Sequence, residues 1–210
     1  MNDEFDTLTL DIARKFTPVP PGIPGIRFRS LKGGQAPQTI PEEAKLLLMA
    51  PDYADIRQKI AAYKRETGYD VDHRTRGKSL EISARRGGPG EECNAISILI
   101  ELAGTLPFAG DEIKDFFEFY NTHIRFETNG AALGLAFSDP NAGPLLLNTG
   151  MIEMTPEAAR LTLGICCPSC CTEEQICDAL MPILNQYEMG LVKPLHHDPA
   201  GSADAEQMSR

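Results

Sequence analysis

Residues 94–121 form the most apolar part of this 210-residue chain, and their hydrophobic positions recur at helical spacing. The first predicted helix in this stretch is apolar on nearly all sides. After a turn, a second helix has one apolar face, formed by Ile113, Phe116, Phe117 and Tyr120. The stretch carries almost no residue suited to catalysis. We therefore predict that it forms the interior of a domain and not a site.

Shorter periodic segments on both sides predict strands that lie beside further helices. Asp52 is a candidate cap for a helix that ends near Gly68, and Thr172–Gln175 has the capping-box pattern that opens a later helix. The last two long strand segments form a hairpin around Thr155-Pro156. Strand-like segments lie at 7–15, 26–31, 44–50, 78–84, 145–154, 158–165 and 187–192.

Each half of the chain thus combines strands with helices, and the second half reads β-α-α-β-β-α-β. This order is the split β-α-β arrangement with one extra helix. We predict an α+β fold, a two-layer sandwich of antiparallel sheets and helices with two ferredoxin-like halves. The predicted subdomains are residues 1–75 and 76–195. Residues 196–210 lack periodicity, and we predict that they form a disordered tail.

The charge balance and the absence of long apolar runs limit the classes of partner. Thirty acidic and twenty basic residues give a net charge of −10, which argues against a surface for nucleic acid or anionic membranes. No segment reaches the roughly 18 to 20 apolar residues that a membrane span requires, and the N-terminal segment does not resemble a secretory signal. We expect a soluble, cytoplasmic protein with neither nucleic acid nor membrane as partner.

Five of the six cysteines lie close together: Cys166, Cys167, Cys170, Cys171 and Cys177. Cys167 and Cys170 have the C-x-x-C spacing of zinc and redox sites, but no second pair of ligands follows at a distance. Without a secretory signal, reduced thiols are expected, and cysteine is also a common small core residue. A structural role is the favoured interpretation. A metal- or redox-responsive module that uses these five cysteines is the alternative.

Five segments of the chain carry a family resemblance: 30–48, 77–85, 94–108, 130–163 and 172–184. Taken in order, they resemble the lid, or dimerisation, domain of PepV-type zinc dipeptidases in metallopeptidase family twenty. The resemblance implies a full enzyme whose two-metal catalytic domain is interrupted by this lid. The metal ligands of such enzymes lie in the catalytic domain, and their His-x-Asp motif does not occur here. The resemblance therefore implies a chain with no cofactor of its own and with a catalytic domain or a second copy as partner.

The lid of that family contributes three polar groups that close over the substrate, and each matching position is altered here. Gln38 stands where the family has asparagine, and Cys166 stands where an arginine would hold the substrate carboxylate. Arg85 is followed by Arg86 and Gly87, where the family's histidine would be expected. Either a degenerate lid or a purely structural likeness accounts for these changes. We expect no catalytic residue and no peptide hydrolysis from this chain alone, with a role in substrate covering or association.

Overall fold

The computed structural model describes residues 5–87, 93–168 and 171–198. In these ranges the chain forms ten strands, four α-helices and one turn of 3-10 helix at Ala131–Leu133. The helices are α1 (Ala54–Thr67), α2 (Ala95–Gly104), α3 (Asp111–His123) and α4 (Glu173–Gln186). The strands are β1 (Phe5–Lys15), β2 (Arg27–Gly33), β3 (Glu43–Met49), β4 (Asp70–Arg76), β5 (Ser79–Arg85), β6 (Ser138–Asp139), β7 (Gly143–Pro144), β8 (Leu146–Met154), β9 (Ala158–Pro168) and β10 (Gly190–Asp198).

Eight strands form one antiparallel sheet in the order β10-β1-β9-β8-β2-β3-β5-β4, and β6 and β7 form a separate small ribbon. The α+β class and the sandwich of sheet and helices predicted from the sequence are confirmed. Near the middle of the sheet, β2 and β8 are joined by only three residue pairs, from Leu31–Gly33 to Ile152–Met154. The predicted subdomain boundary at residues 75 and 76 falls at the end of β4, in the β4–β5 hairpin. The division into two subdomains stays a prediction.

The helix α2 is buried as its composition predicts. Eight of its ten residues are buried, and it packs against β3, β5 and β8. The Asn94 side chain caps its first turn by accepting a hydrogen bond from the Ile96 N–H at 2.9 Å. None of the four helices in the described ranges is both long enough and apolar enough to cross a membrane.

Two helix starts test the predicted caps. The capping box of α4 is present, with Thr172 and Gln175 bonded to each other's main chain. For α1 the prediction was wrong by one residue, because the residue at the cap position is Tyr53. Asp52 nevertheless accepts hydrogen bonds from the N–H groups of Tyr53 at 2.6 Å and Ala54 at 3.1 Å. Its carboxylate thus serves the same end of the helix from one position earlier.

The final strand is longer than its apolar pattern indicates. β10 pairs with β1 as far as Asp198, which lies opposite Thr7. Residues 196–198, which the sequence analysis placed in the tail, therefore belong to the sheet. Main-chain hydrogen bonds to β1 extend a strand without any apolar alternation. The remaining part of the predicted tail, 199–210, lies outside the described residues.

Candidate functional site

One face of the sheet is turned away from the buried core and carries polar side chains. Along β9, Leu161, Leu163 and Ile165 are fully buried in the core. Since alternate residues of a strand point to opposite faces, Arg160 and Thr162 belong to the other face. We call this second face the open face of the sheet.

Four charged side chains form a row across neighbouring strands of the open face: Asp11 on β1, Arg160 on β9, Glu153 on β8 and Lys32 on β2. Arg160 and Lys32 are the register partners of Glu153 on its two sides. Arg160 donates a hydrogen bond to Asp11, which also accepts one from the Thr162 hydroxyl at 2.5 Å. Lys32 Nζ donates to Glu153 Oε1 at 2.6 Å. The row thus alternates in sign, and we call it the charged row.

Two members of the charged row, Glu153 and Arg160, are held in their ionised forms by their neighbours. The hydrogen bond and positive charge of Lys32 lower the pKa of Glu153 below its ordinary value. The hydrogen bond to Asp11 and its negative charge raise the pKa of Arg160. Asp11 itself is nearly covered, whereas the Arg160 side chain is 57% exposed. Part of the row is therefore open to a charged ligand.

The loop from residue 34 to 42, between β2 and β3, lies directly on the open face because glycines leave room for it. A Cβ atom added at Gly150 or Gly164 would collide with the carbonyl oxygen of Pro37. Gly34 has a φ of +78°, which favours glycine, and a Cβ there would collide with the carbonyl of Gly150. We call residues 34–42 the seated loop.

Two side-chain amides fix the seated loop to the strands below it. Asn148, which is buried, donates to the carbonyl oxygens of Pro37 at 3.0 Å and Thr39 at 2.9 Å. Gln38 Nε2 donates to the carbonyl oxygen of Leu8 on β1 at 3.2 Å. The loop is therefore held at a fixed position on the sheet, and the Gln38 amide provides one of the hydrogen bonds that hold it.

A groove of about 530 Å³ lies between the seated loop and the charged row. Its lining includes all four members of the row, together with Thr9, Thr162 and Pro37. Ligand sites in proteins commonly have volumes of about 300 to 1,000 Å³ and a small number of fixed polar groups. This groove is the candidate functional site.

The structure brings two of the three predicted lid positions to this region. Gln38 lies in the seated loop, and Cys166 follows Gly164 by two residues on the same face of β9. Arg85 lies at the end of β5, separated from β9 in the sheet order by β3, β2 and β8. Its guanidinium forms an ion pair with Asp70 at 3.4 Å. A role for these three residues in substrate binding stays a prediction.

The pleat of β9 divides the cysteines between the two faces. Cys167 is buried in the core and its Sγ donates to the carbonyl oxygen of Asp6 at 3.4 Å, while Cys166 lies on the open face. Burial, followed by the neighbouring Cys171 and Asp6, raises the pKa of Cys167 to about 12. Burial also raises the pKa of Cys166. Both shifts favour the protonated thiol, whereas nucleophiles and metal ligands are thiolates.

Of the remaining members of the predicted cysteine cluster, Cys171 lies two residues before α4 and Cys177 lies in its second turn. Cys177 is buried and packs in the core, and Cys171 packs against that core from a half-buried position. Within the described ranges, no group of three or more His, Cys, Asp or Glu residues is arranged to hold a metal ion. Cys170 lies outside the described residues. The metal-responsive alternative therefore stays a prediction.

A network of buried polar groups lies where the sequence analysis expected only apolar packing. The hydroxyl of Tyr120 on α3 bonds to Ser97 on α2 at 2.8 Å and to Thr149 on β8 at 3.0 Å. Asn94 Nδ2 donates to the Thr149 carbonyl at 2.8 Å and to Asn148 Oδ1 at 3.3 Å. These contacts join both central helices to the strand that holds the seated loop.

Sequence reasoning also missed the charged row, although one signal for it was present. Asp11, Glu153 and Arg160 occupy polar positions in three segments that were predicted as strands. Their alternation with apolar residues placed each on a solvent-facing side. Only the strand order brings them together, and that order depends on contacts between residues far apart in the chain.

No known protein family matches the sequence of this chain, and no curated protein matches it. Among solved structures, the chain is weakly similar to the aminoacylhistidine dipeptidase from Vibrio alginolyticus. The two are 14% identical, with a TM-score of 0.40 over 96% of this chain and 47% of that chain. The chain thus spans about half the length of the protein that it resembles in structure.

Proposed function

We propose that this chain is a lid-type domain that holds a short peptide over a catalytic site contributed by another domain or chain. The groove beside the seated loop is the observation that supports this proposal most directly. The segments that resemble the PepV-type lid at 30–48 and 130–163 include Lys32, the seated loop, Glu153 and Arg160. The resembling segments therefore contribute most of the groove.

The charges of the groove match the two ends of a free peptide. At neutral pH a short peptide carries an ammonium group at one end and a carboxylate at the other. Arg160 has five N–H donors, and those not bonded to Asp11 can bind a carboxylate. Glu153, whose side chain is 62% exposed, can accept from the ammonium group. A zwitterion thus fits the alternating row better than a ligand of one sign does.

Hydrolysis belongs, in this proposal, to the other domain. Metal-dependent hydrolysis requires an open metal site that activates a water molecule. The His-x-Asp motif that supplies ligands in the resembling enzymes does not occur in this sequence. The role of this chain is to orient the peptide and to cover it.

Binding of the dipeptide Ala-Ala to the purified chain, measured by calorimetry, tests the proposal. We expect saturable binding at millimolar concentration that is lost when either end of the peptide is capped. Replacing Arg160→Gln should weaken binding by about tenfold or more, because it removes charge-assisted hydrogen bonds. The control Lys114→Gln, on α3 in the helical layer, should bind as the wild type does.

Equal binding of the capped peptides, or unchanged affinity after Arg160→Gln, would contradict the proposed site. The same mixtures with added zinc, cobalt or manganese should release no free alanine. Metal-dependent release that persists through further purification would show that the chain hydrolyses peptides itself.

A further inference from the structure

A second pocket, of about 80 Å³, lies beside the first half of β8, at residues 146–149. Because β2 pairs with β8 only at Ile152–Met154, no strand covers this side of the first half. The loop after α3 lies there instead, and its Thr128 carbonyl oxygen accepts a hydrogen bond from the Leu147 N–H at 2.6 Å. We call this space the inner pocket. Among the described residues it shares no lining residue with the groove, so it is independent of the function proposed above.

The deep part of the inner pocket is polar but uncharged. Asn94, Ser97, Asn148 and Thr149 line it, and each of them is at most 9% exposed. Asn94 Nδ2 donates to the Thr149 carbonyl oxygen and to Asn148 Oδ1. Asn148 Nδ2 donates twice to the seated loop. Each amide therefore uses both of its N–H donors within the chain.

The hydroxyl groups beside these amides have one hydrogen more than they use. Tyr120 donates its single hydroxyl hydrogen to Thr149 Oγ1 at 3.0 Å. Ser97 must therefore be the donor in its 2.8 Å bond with Tyr120. The hydroxyl hydrogen of Thr149 is left, and the described residues offer it no acceptor. Thr149 is only 3% exposed, and a buried donor without a partner is costly, so an oxygen atom in the inner pocket would be bound there.

The remaining walls of the inner pocket are apolar. They are formed by the side chains of Ile40, Ile124, Phe126, Leu146 and Leu147. A molecule that fills the pocket therefore gains by burying alkyl groups as well as by accepting one hydrogen bond.

The mouth of the inner pocket presents no net charge. It carries Arg125, whose side chain is 57% exposed, and Glu127, and both are bonded within the chain. Arg125 Nε donates to Glu101 Oε1 at 2.9 Å, and Glu127 accepts from the Ala132 N–H at 3.2 Å. An ion would lose its hydration in this pocket without a free charge to pair with.

We propose that the inner pocket binds a small uncharged carbonyl compound with a short alkyl group. The carbonyl oxygen accepts the hydrogen of the Thr149 hydroxyl, and the alkyl group packs against the apolar walls. A cavity of about 150 Å³ admits benzene, so the inner pocket admits roughly three to four non-hydrogen atoms. Water fits less well, because a buried water molecule makes about two to four hydrogen bonds and Thr149 supplies one unused side-chain donor.

An NMR titration of the full chain with acetone, isotope-labelled at its carbonyl carbon, tests the proposal. We expect a saturable change in the carbonyl chemical shift at millimolar concentration, with magnetisation transfer from acetone to the methyl groups of Leu147. Acetate has nearly the same shape but a charge, and it should not compete. Thr149→Ser keeps the hydroxyl and should bind as the wild type does. Thr149→Val has nearly the same shape without the hydroxyl and should bind about tenfold or more weakly.

Leu146→Phe provides a test that leaves the buried hydroxyls unchanged. Leu146 is half-buried and lines the inner pocket but not the groove, so a larger side chain there should block acetone while Ala-Ala still binds. Circular dichroism of every variant checks that the fold is retained. A wild type that shows no saturable change with acetone would overturn the proposal. So would competition by acetate, or undiminished acetone binding in Thr149→Val or in Leu146→Phe.

Discussion

At Gly150 and Gly164 the seated loop approaches the sheet so closely that no side chain fits between them. This contact determines where Pro37 and Gln38 lie, and Pro37 lines the groove. The absence of a Cβ atom at each of these glycines thus determines the shape of the candidate site. The sequence of the loop alone does not reveal this close approach, because the glycines that permit it lie on two other strands, β8 and β9.

We expect Gly164→Ala to lower the free energy of unfolding by about 1 to 3 kcal/mol, because the added methyl group forces the seated loop off the sheet. Urea unfolding monitored by circular dichroism measures this cost. Gly190→Ala is the control, since a Cβ there meets nothing within 4 Å. Equal stability of the two variants would show that the loop gives way without cost.

At the scale of single residues, the sequence identified Gln38 as a candidate only through a family resemblance, and Cys166 through that resemblance and through its place in the cysteine cluster. It did not identify Asp11 or Arg160, although each is polar and stands in a predicted strand. Asp11 is 8% exposed because the charged row and Thr162 surround it, and that burial results from tertiary contacts. A solvated strand position and a partly buried ion pair look the same in sequence.

Among the elements, α2 is the one whose position follows most directly from composition. Leu99 on this helix is fully buried, and truncating it to alanine should cost about 2 to 5 kcal/mol through lost burial and a residual cavity. Cys166→Ala should cost about 1 kcal/mol or a little more, because Cys166 is only partly buried. Chemical denaturation of both variants gives the ordering. If Cys166→Ala is the more damaging by several kcal/mol, the cysteine cluster holds something that packing does not explain.

Helices and strands were predictable because their periodicity is local. Three elements follow from residues that lie close together in the chain: the capping box at Thr172, the buried α2 and the β8–β9 hairpin. The length of β10 was not predictable, because β1 extends it through main-chain hydrogen bonds that carry no sequence pattern. The place of β1 between β9 and β10 was not predictable for the same reason, because this pairing joins strands that are far apart in the sequence.

Across the whole molecule, the buried acids respond to alkaline pH. Burial raises the pKa of Tyr120 to about 12, although its hydrogen bonds with Ser97 and Thr149 act in the opposite direction. An acid whose pKa is raised by folding stabilises the protein fully below its unfolded pKa, and this contribution is lost as pH rises through the folded value. The contribution of Tyr120 is therefore lost between about pH 10, the ordinary value for tyrosine, and about pH 12.

We expect the free energy of unfolding to fall above about pH 9, first with Cys167, whose pKa burial also raises to about 12. Tyr120→Phe should make the decline shallower by up to about 1.4 kcal/mol per pH unit above pH 10. Urea unfolding at a series of pH values measures both slopes. An unchanged slope in Tyr120→Phe would mean that this hydroxyl ionises equally easily in the folded and unfolded chain.

The joining of all eight strands in a single sheet is the whole-molecule feature that sequence patterns did not contain. The α+β class followed from the order of the elements. The contact between β2 and β8 rests on three residue pairs and has no local signature in either strand. Beside this short seam, Asn148 on β8 also bonds to the seated loop that follows β2, through the carbonyl oxygens of Pro37 and Thr39.

Because β1 and β10 are neighbours, with Thr7 opposite Asp198, the first and last strands end about 5 Å apart. Ends that lie this close permit insertion of a domain into a surface loop of a host protein, and they also permit circular permutation. A linker of a few residues from the end of β10 to the start of β1, in place of residues 1–4 and 199–210, would join the two strands, and a break at the exposed turn of Gly77 would give the chain new ends. We expect such a permutant to keep the same strand order in its sheet.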